Sequence, residues 1–165
     1  MAWLGRYDRV SSVRERFQGF RDTLQARGVS VDERLVVDFE PRWHGRDEEF
    51  GDMAVQKLLG QDVRFTGIIA LSSGCARAAV RRLRESGVSV PEQVSLLVFD
   101  DSTQSAHGEI PLTAIRQDVH GMGVAAARLL LRRIAERAKG AVRGNPETIR
   151  LPYALVDRGS VRRPR

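Results

Sequence analysis

Side-by-side carboxylates, a run of hydroxyls next to a thiol, and a glycine-spaced turn are the groups in this chain whose types and spacing could do chemistry. Asp100 and Asp101 follow an apolar run at 94–99, interrupted only by Ser95, where carboxylates could take part in acid–base work or accept paired hydrogen bonds. Ser72-Ser73-Gly74-Cys75 follows a second apolar run at 67–71 and opens a helical stretch, where an anion or a nucleophile could use a helix N-terminus. It lacks the Gly-x-Ser-x-Gly frame of a strained nucleophile turn. Phe39 closes a third, shorter run at 35–39. Gly121-Met-Gly123-Val-Ala-Ala126 fits a phosphate-binding glycine pattern, but that pattern needs a strand just before it and a βαβ unit after it, so these glycines read as a helix start. His44, His107 and His120 fall in loops or boundaries with no two on one helix face, and a single cysteine supplies neither a disulfide nor a thiolate metal site. No metal and no cofactor is expected.

The elements that must position these groups follow from periodicity. Ser12 with Glu15 reads as a capping box, and Val13, Phe17, Phe20 and Leu24 recur at helical spacing until Gly28, which predicts an amphipathic helix over 12–27. A strand at 35–39 is followed by a helix from Asp47 to about Gly60, with Phe50, Met53, Ala54, Leu58 and Leu59 on one face. The unit repeats as a strand at 67–71, a helix at 74–86 and a strand at 94–99. A polar loop over 102–111, a long helix at 119–138 with Leu129, Leu130 and Ile134 on its apolar side, and a closing strand at 148–156 complete the chain. This alternation predicts an α/β fold with a parallel sheet flanked by helices, whose ligands bind beyond the carboxyl ends of the strands. Phe39, Ser72, Ser73, Asp100 and Asp101 fall at those ends.

Composition narrows the class. With 165 residues, 42% of them hydrophobic and 29% charged, the chain suits one compact domain with its own core. No apolar run approaches the roughly 18 residues of a membrane span, and Arg6 comes too early for a signal-peptide core, so a soluble, cytoplasmic protein without a membrane partner is expected. The net charge of +6 raises the question of nucleic acid, but the basic residues are 25 Arg and 2 Lys scattered over nearly every segment. Dispersed arginines of this kind read as solvated helix faces.

Ser86-Gly-Val-Ser-Val-Pro-Glu-Gln-Val-Ser-Leu-Leu-Val-Phe-Asp-Asp101, then Pro111-Leu-Thr-Ala-Ile-Arg-Gln-Asp118, the helix from Met122, and the turn Asp157-Arg-Gly-Ser160 resemble the LacI/GalR family of bacterial transcription regulators. Ser12, Arg16, Gly19 and Phe20 resemble the family's Arg-x-x-Gly-Phe helix, and Asp38-Phe39-Glu40-Pro41 the end of the strand after it. The resemblance covers nearly the whole of residues 1–165. It implies a truncated type I periplasmic-binding-protein-like lobe, the C-terminal effector-binding and dimerisation lobe, with a crossover helix at 119–138 and a closing strand at 148–156. The family's helix-turn-helix and N-terminal lobe have no counterpart in these residues, so DNA would be met only through a domain outside them.

By motif position the resemblance implies a ligand site of Ser12, Arg16, Phe39, Ser72 and Asp100 for a small sugar-like or nucleobase-like effector. A guanidinium fork, a carboxylate and an aromatic face suit vicinal hydroxyls or ring N–H groups. The chain departs from the family with Ser72-Ser73 for Asn-Asp, Val98 for glycine and Val119 for an aromatic residue. The resemblance also implies a homodimer through Cys75, Ala78, Ala79, Arg82 and His107, and it implies no enzyme. The alternative is a small flavodoxin-like α/β hydrolytic enzyme using the strand-end carboxylates.

Overall fold

The computed structural model describes residues 1–5, 10–38, 46–140 and 145–163. In chain order the elements are β1 (Ala2–Leu4), α1 (Ser11–Ala26), a 3-10 turn (Glu33–Leu35), β2 (Val36–Val37), α2 (Asp47–Leu59), β3 (Gly67–Ala70), α3 (Ser73–Glu85), β4 (Ser95–Phe99), α4 (Thr103–Ala106), β5 (Thr113–Gln117), α5 (Val119–Ala138) and β6 (Tyr153–Val156). The six strands form one sheet in the order β2-β1-β3-β4-β5-β6, and the four pairings from β2 to β5 are parallel. The expected α/β architecture is therefore present. Leu4 pairs with Ala70 and Ala70 with Val98, so β1, β3 and β4 end almost level and deliver Gly5, Leu71 and Phe99 to one edge.

Strands buried on both faces explain the continuous apolar runs. One face carries Leu4, Ala70, Leu96 and Val98 into a core with Phe50, Ala54 and Leu58 of α2 and Ala79 and Leu83 of α3. The other carries Trp3, Ile69 and Phe99 against Phe17 and Phe20 of α1. The chain divides into two compact units, residues 1–115 with 155–165, and residues 116–154.

Three local expectations are corrected. The Ser12 capping box does not form: α1 starts one residue earlier, Val10 occupies the cap position, and Ser12, already helical, cannot turn its hydroxyl onto the first free N–H groups. The strand at 35–39 is reduced to Val36–Val37, because Asp32 accepts a hydrogen bond from Arg34 N at 3.0 Å and winds 33–35 into a 3-10 turn. Phe39 lies outside the described residues. The closing strand begins at Tyr153, after Pro152, so 148–152 is not strand.

In the first unit, the segment after β6 fastens β4 to β5. Ser160, fully buried, donates its hydroxyl to Leu96 O at 2.6 Å, accepts Thr113 N at 2.8 Å, and receives Leu96 N on its own carbonyl at 2.8 Å. Ser160→Ala should cost about 1–3 kcal/mol in urea unfolding, because it strands a buried donor and a buried acceptor at once. A cost below about 0.5 kcal/mol would show that the clasp carries no weight.

In the second unit, Asp118 caps α5 by accepting Gly121 N at 2.8 Å. A Cβ at Gly121 would sit 2.2 Å from Asp118 Oδ2, so the glycine serves this cap, and a carboxylate already occupies the helix N-terminus that the phosphate pattern would need. No residue of α5 is buried, and Leu130, Leu131 and Ile134 are exposed.

Candidate functional site

Four residues of the first unit converge at the level strand ends. α1 brings Arg16 over the ring of Phe99, 4.6 Å from its centroid, and Arg16 Nη2 donates to Asp100 Oδ1 at 3.3 Å. Phe99 is itself fixed from behind by Trp3, 6.0 Å away and edge-on. The Arg16 side chain is 21% exposed and Asp100 is 53% exposed. An ion pair this wet is worth about 0–1 kcal/mol, too little to explain its construction by stability alone. It presents guanidinium donors and a carboxylate side by side, with the guanidinium seated on the Phe99 ring, a pairing suited to vicinal hydroxyls.

Asp100 sits at φ +67°, a conformation that non-glycine residues seldom adopt. The loop after it is capped by Ser102, which accepts Ser105 N at 3.2 Å. Asp100 N donates to Ile115 O at 3.1 Å, and Ser73 Oγ donates to Asp100 O at 3.4 Å.

The other expected residues fare differently. Ser72 lies beside the site but caps α3, its hydroxyl accepting Cys75 N at 3.2 Å. Ser12 is exposed on the first turn of α1, one turn before Arg16. Phe39 falls outside the described residues, and the aromatic platform under Arg16 is Phe99. That residue directly precedes Asp100 in the quoted motif, so a signal for it was present in the sequence. A depression of about 140 Å³ is lined by Leu4, Gly5, Asp47, Leu71, Ser72 and Cys75, and so takes in Ser72 but not Arg16, Phe99 or Asp100. Desolvation raises the Cys75 thiol well above its ordinary pKa, so it offers no thiolate there.

On the far side of α3 a depression of about 340 Å³ is lined by Arg77, Arg81, Arg84 and His107 with Glu48 and Glu109. Its charges are largely self-paired: Arg77 with Glu48 at 3.3 Å, Arg84 with Glu109, and Arg81 with Asp52 at 3.4 Å. Ala78 forms part of its floor and His107 its exposed wall. Cys75 and Ala79 do not face outward; they are packed into the core, where small residues let α2 and α3 approach, which corrects the expectation that they meet a second copy. Arg82 is turned onto Asp52 through 3.0 and 2.5 Å bonds, and that pairing holds the Asp52 carboxyl below its ordinary range.

Among the described residues no cluster of His, Cys, Asp and Glu could hold a metal ion, and no helix is long and apolar enough to cross a membrane.

Comparison with known proteins agrees with this fold. Residues 1–161 match the family model described as a periplasmic binding protein-like domain. The chain is 38% identical over 141 residues to the HTH-type transcriptional regulator CelR of Thermobifida fusca, covering 84% of the chain and 39% of that protein. It is 34% identical over 122 residues to GalR of Escherichia coli, covering 74% of the chain and 34% of the relative. A solved complex of the transcriptional regulator CelR with cellobiose superposes with a TM-score of 0.82 at 33% identity, over 96% of this chain and 46% of the other. The chain thus spans between a third and a half of the length of these relatives. They are transcription regulators, and nothing in the matches supports the hydrolytic alternative.

Proposed function

The chain belongs to the LacI/GalR family of periplasmic-binding-protein-like transcription regulators, and we propose that its first unit is the sugar-sensing lobe of such a regulator. The single observation that carries the reading is the Arg16–Asp100 pair set over Phe99 at the carboxyl edge of the sheet. Its donor fork and carboxylate match the hydroxyls of a saccharide, Phe99 serves as the platform that holds the guanidinium in place, and a similar protein is known in complex with cellobiose. Ser72 and Ser12 supply flanking hydroxyls.

We further propose a cytoplasmic homodimer that contacts its second copy through the Arg77, Arg81, Arg84 and His107 face, with DNA reached only through a domain outside these residues. The protein performs no turnover in this reading.

Calorimetric titration with cellobiose tests it. Wild-type chain should bind saturably, and Arg16→Ala and Asp100→Ala should each weaken binding about tenfold to a hundredfold, the effect of losing a hydrogen bond to a charged group. Equal binding by all three proteins, or hydrolysis of the sugar that Asp100→Ala abolishes, would overturn the proposal.

A further inference from the structure

The turn Asp157-Arg-Gly-Ser160 lies away from the ligand groups, yet it reaches the loop that carries them. Arg158 is 19% exposed and Asp101 9%, and Arg158 Nη2 approaches Asp101 Oδ1 at 2.8 Å as an ion pair. Arg158 is itself anchored, donating from Nη1 to Leu112 O at 2.9 Å and from its backbone N to Thr113 Oγ1 at 3.1 Å. Thr113 Oγ1 in turn donates to Asp157 Oδ1 at 3.1 Å, and that carboxylate also accepts Gly159 N at 3.0 Å. These two bonds hold the Asp157 carboxyl below its ordinary range, so the turn keeps its geometry wherever carboxylates are ionised.

Asp101 is covalently the next residue after Asp100, whose left-handed backbone aims its carboxylate at Arg16. A non-glycine residue persists in that conformation only where its surroundings over-determine it. Backbone bonds to Ile115 and Ser73 hold one side of Asp100, and the Asp101–Arg158 pair holds the other. Ser102 Oγ completes the frame by donating to Ser73 Oγ at 2.8 Å. Removing one member of this largely buried pair takes away the tie between Asp101 and the anchored turn, which lets the loop shift.

We propose that Arg158 is a positioning residue for the sugar site: acting through Asp101, it sets the backbone of Asp100 and with it the Arg16–Asp100 pair. The inference rests on the sugar-sensing reading for its biological meaning, but not for its test. Asp101→Asn is nearly isosteric and Arg158→Met keeps the packing volume, so two independent variants remove the pair, while Arg158→Lys retains the charge. The readouts are the amide resonance of Asp100, the Nε–H resonance of Arg16 and the indole resonance of Trp3 in the free protein, together with the affinity for cellobiose.

The expected result is a shift of the Asp100 and Arg16 signals in Asp101→Asn and Arg158→Met with the Trp3 indole unmoved, partial return in Arg158→Lys, and about tenfold weaker cellobiose binding. Unchanged Asp100 and Arg16 signals in folded variants would overturn the proposal. Movement of the Trp3 signal alongside them in both variants would also overturn it, because that marks a general loss of packing. If the wild-type chain takes up no cellobiose, the sugar reading falls, and the resonances of the free protein still decide the role of Arg158.

Discussion

Trp3→Ala is expected to cost about 3–5 kcal/mol in denaturant unfolding, the range for removing a large buried aromatic side chain. Trp3 is 0% exposed on a strand buried on both faces, and its ring meets Phe17 at 5.2 Å, Phe20 at 5.4 Å and Phe99 at 6.0 Å. Trp3, Phe17 and Phe20 are the buried centre of the α1 face, with Leu24, Ile69 and Leu71 packed around them, so removing the largest ring leaves a cavity that small shifts do not fill. Domains of this size have about 5–15 kcal/mol in total, so the variant should be marginal at room temperature. The site should loosen with it, because Phe99 loses its backing and carries the Arg16 guanidinium. Trp3→Phe should be far milder, within about 1.5 kcal/mol, as a volume-reducing swap that also removes a buried indole N–H with no partner among the described residues. A loss below about 1 kcal/mol for Trp3→Ala would show that the aromatic cluster is not a packing unit.

Gly51→Ala and Gly19→Ala should move stability in opposite directions, although both glycines are helical. Alanine is favoured over glycine inside a helix by about 1 kcal/mol, mainly through backbone entropy. At Gly19 of α1 a Cβ meets nothing within 4 Å, so the substitution should stabilise by about 0.5–1 kcal/mol. At Gly51 of α2 a Cβ would stand 2.2 Å from Cys75 O and 2.9 Å from Cys75 C, both backbone atoms of α3. Backbone cannot rotate aside, so α2 and α3 must separate, at a cost of about 3 kcal/mol or more beyond the propensity gain. A matched pair of melting curves decides it: equal signs for the two variants would mean that α2 and α3 do not pack as described.

Much of the architecture was legible in the residues because it rests on local patterns. Apolar runs at 67–71 and 94–99 alternate with helical periodicity, and a two-faced parallel sheet is the arrangement that buries them. The ends of those runs placed Ser72 and Asp100 at the sheet's carboxyl edge, and the resemblance added Arg16, which the structure brings to Asp100. β5 was less legible, since its five residues alternate weakly and its place is set by pairing with β4.

What the sequence alone determined is the alternation of helices and strands between α1 and β4, the strand-end address of the site and the family that shares it, because periodicity and short motifs are properties of neighbouring residues. Which helix residue caps, which alanines face inward, which aromatic ring lies under Arg16 and which arginine holds Asp101 were decided only by the tertiary structure. Those choices depend on groups far apart along the chain, whose meeting is set by how the sheet twists and how closely two helices pack. Ser12 lost its capping role to a one-residue shift in where α1 begins. Cys75 and Ala79 were claimed by α2, because close helix packing needs small residues on its own inner face first.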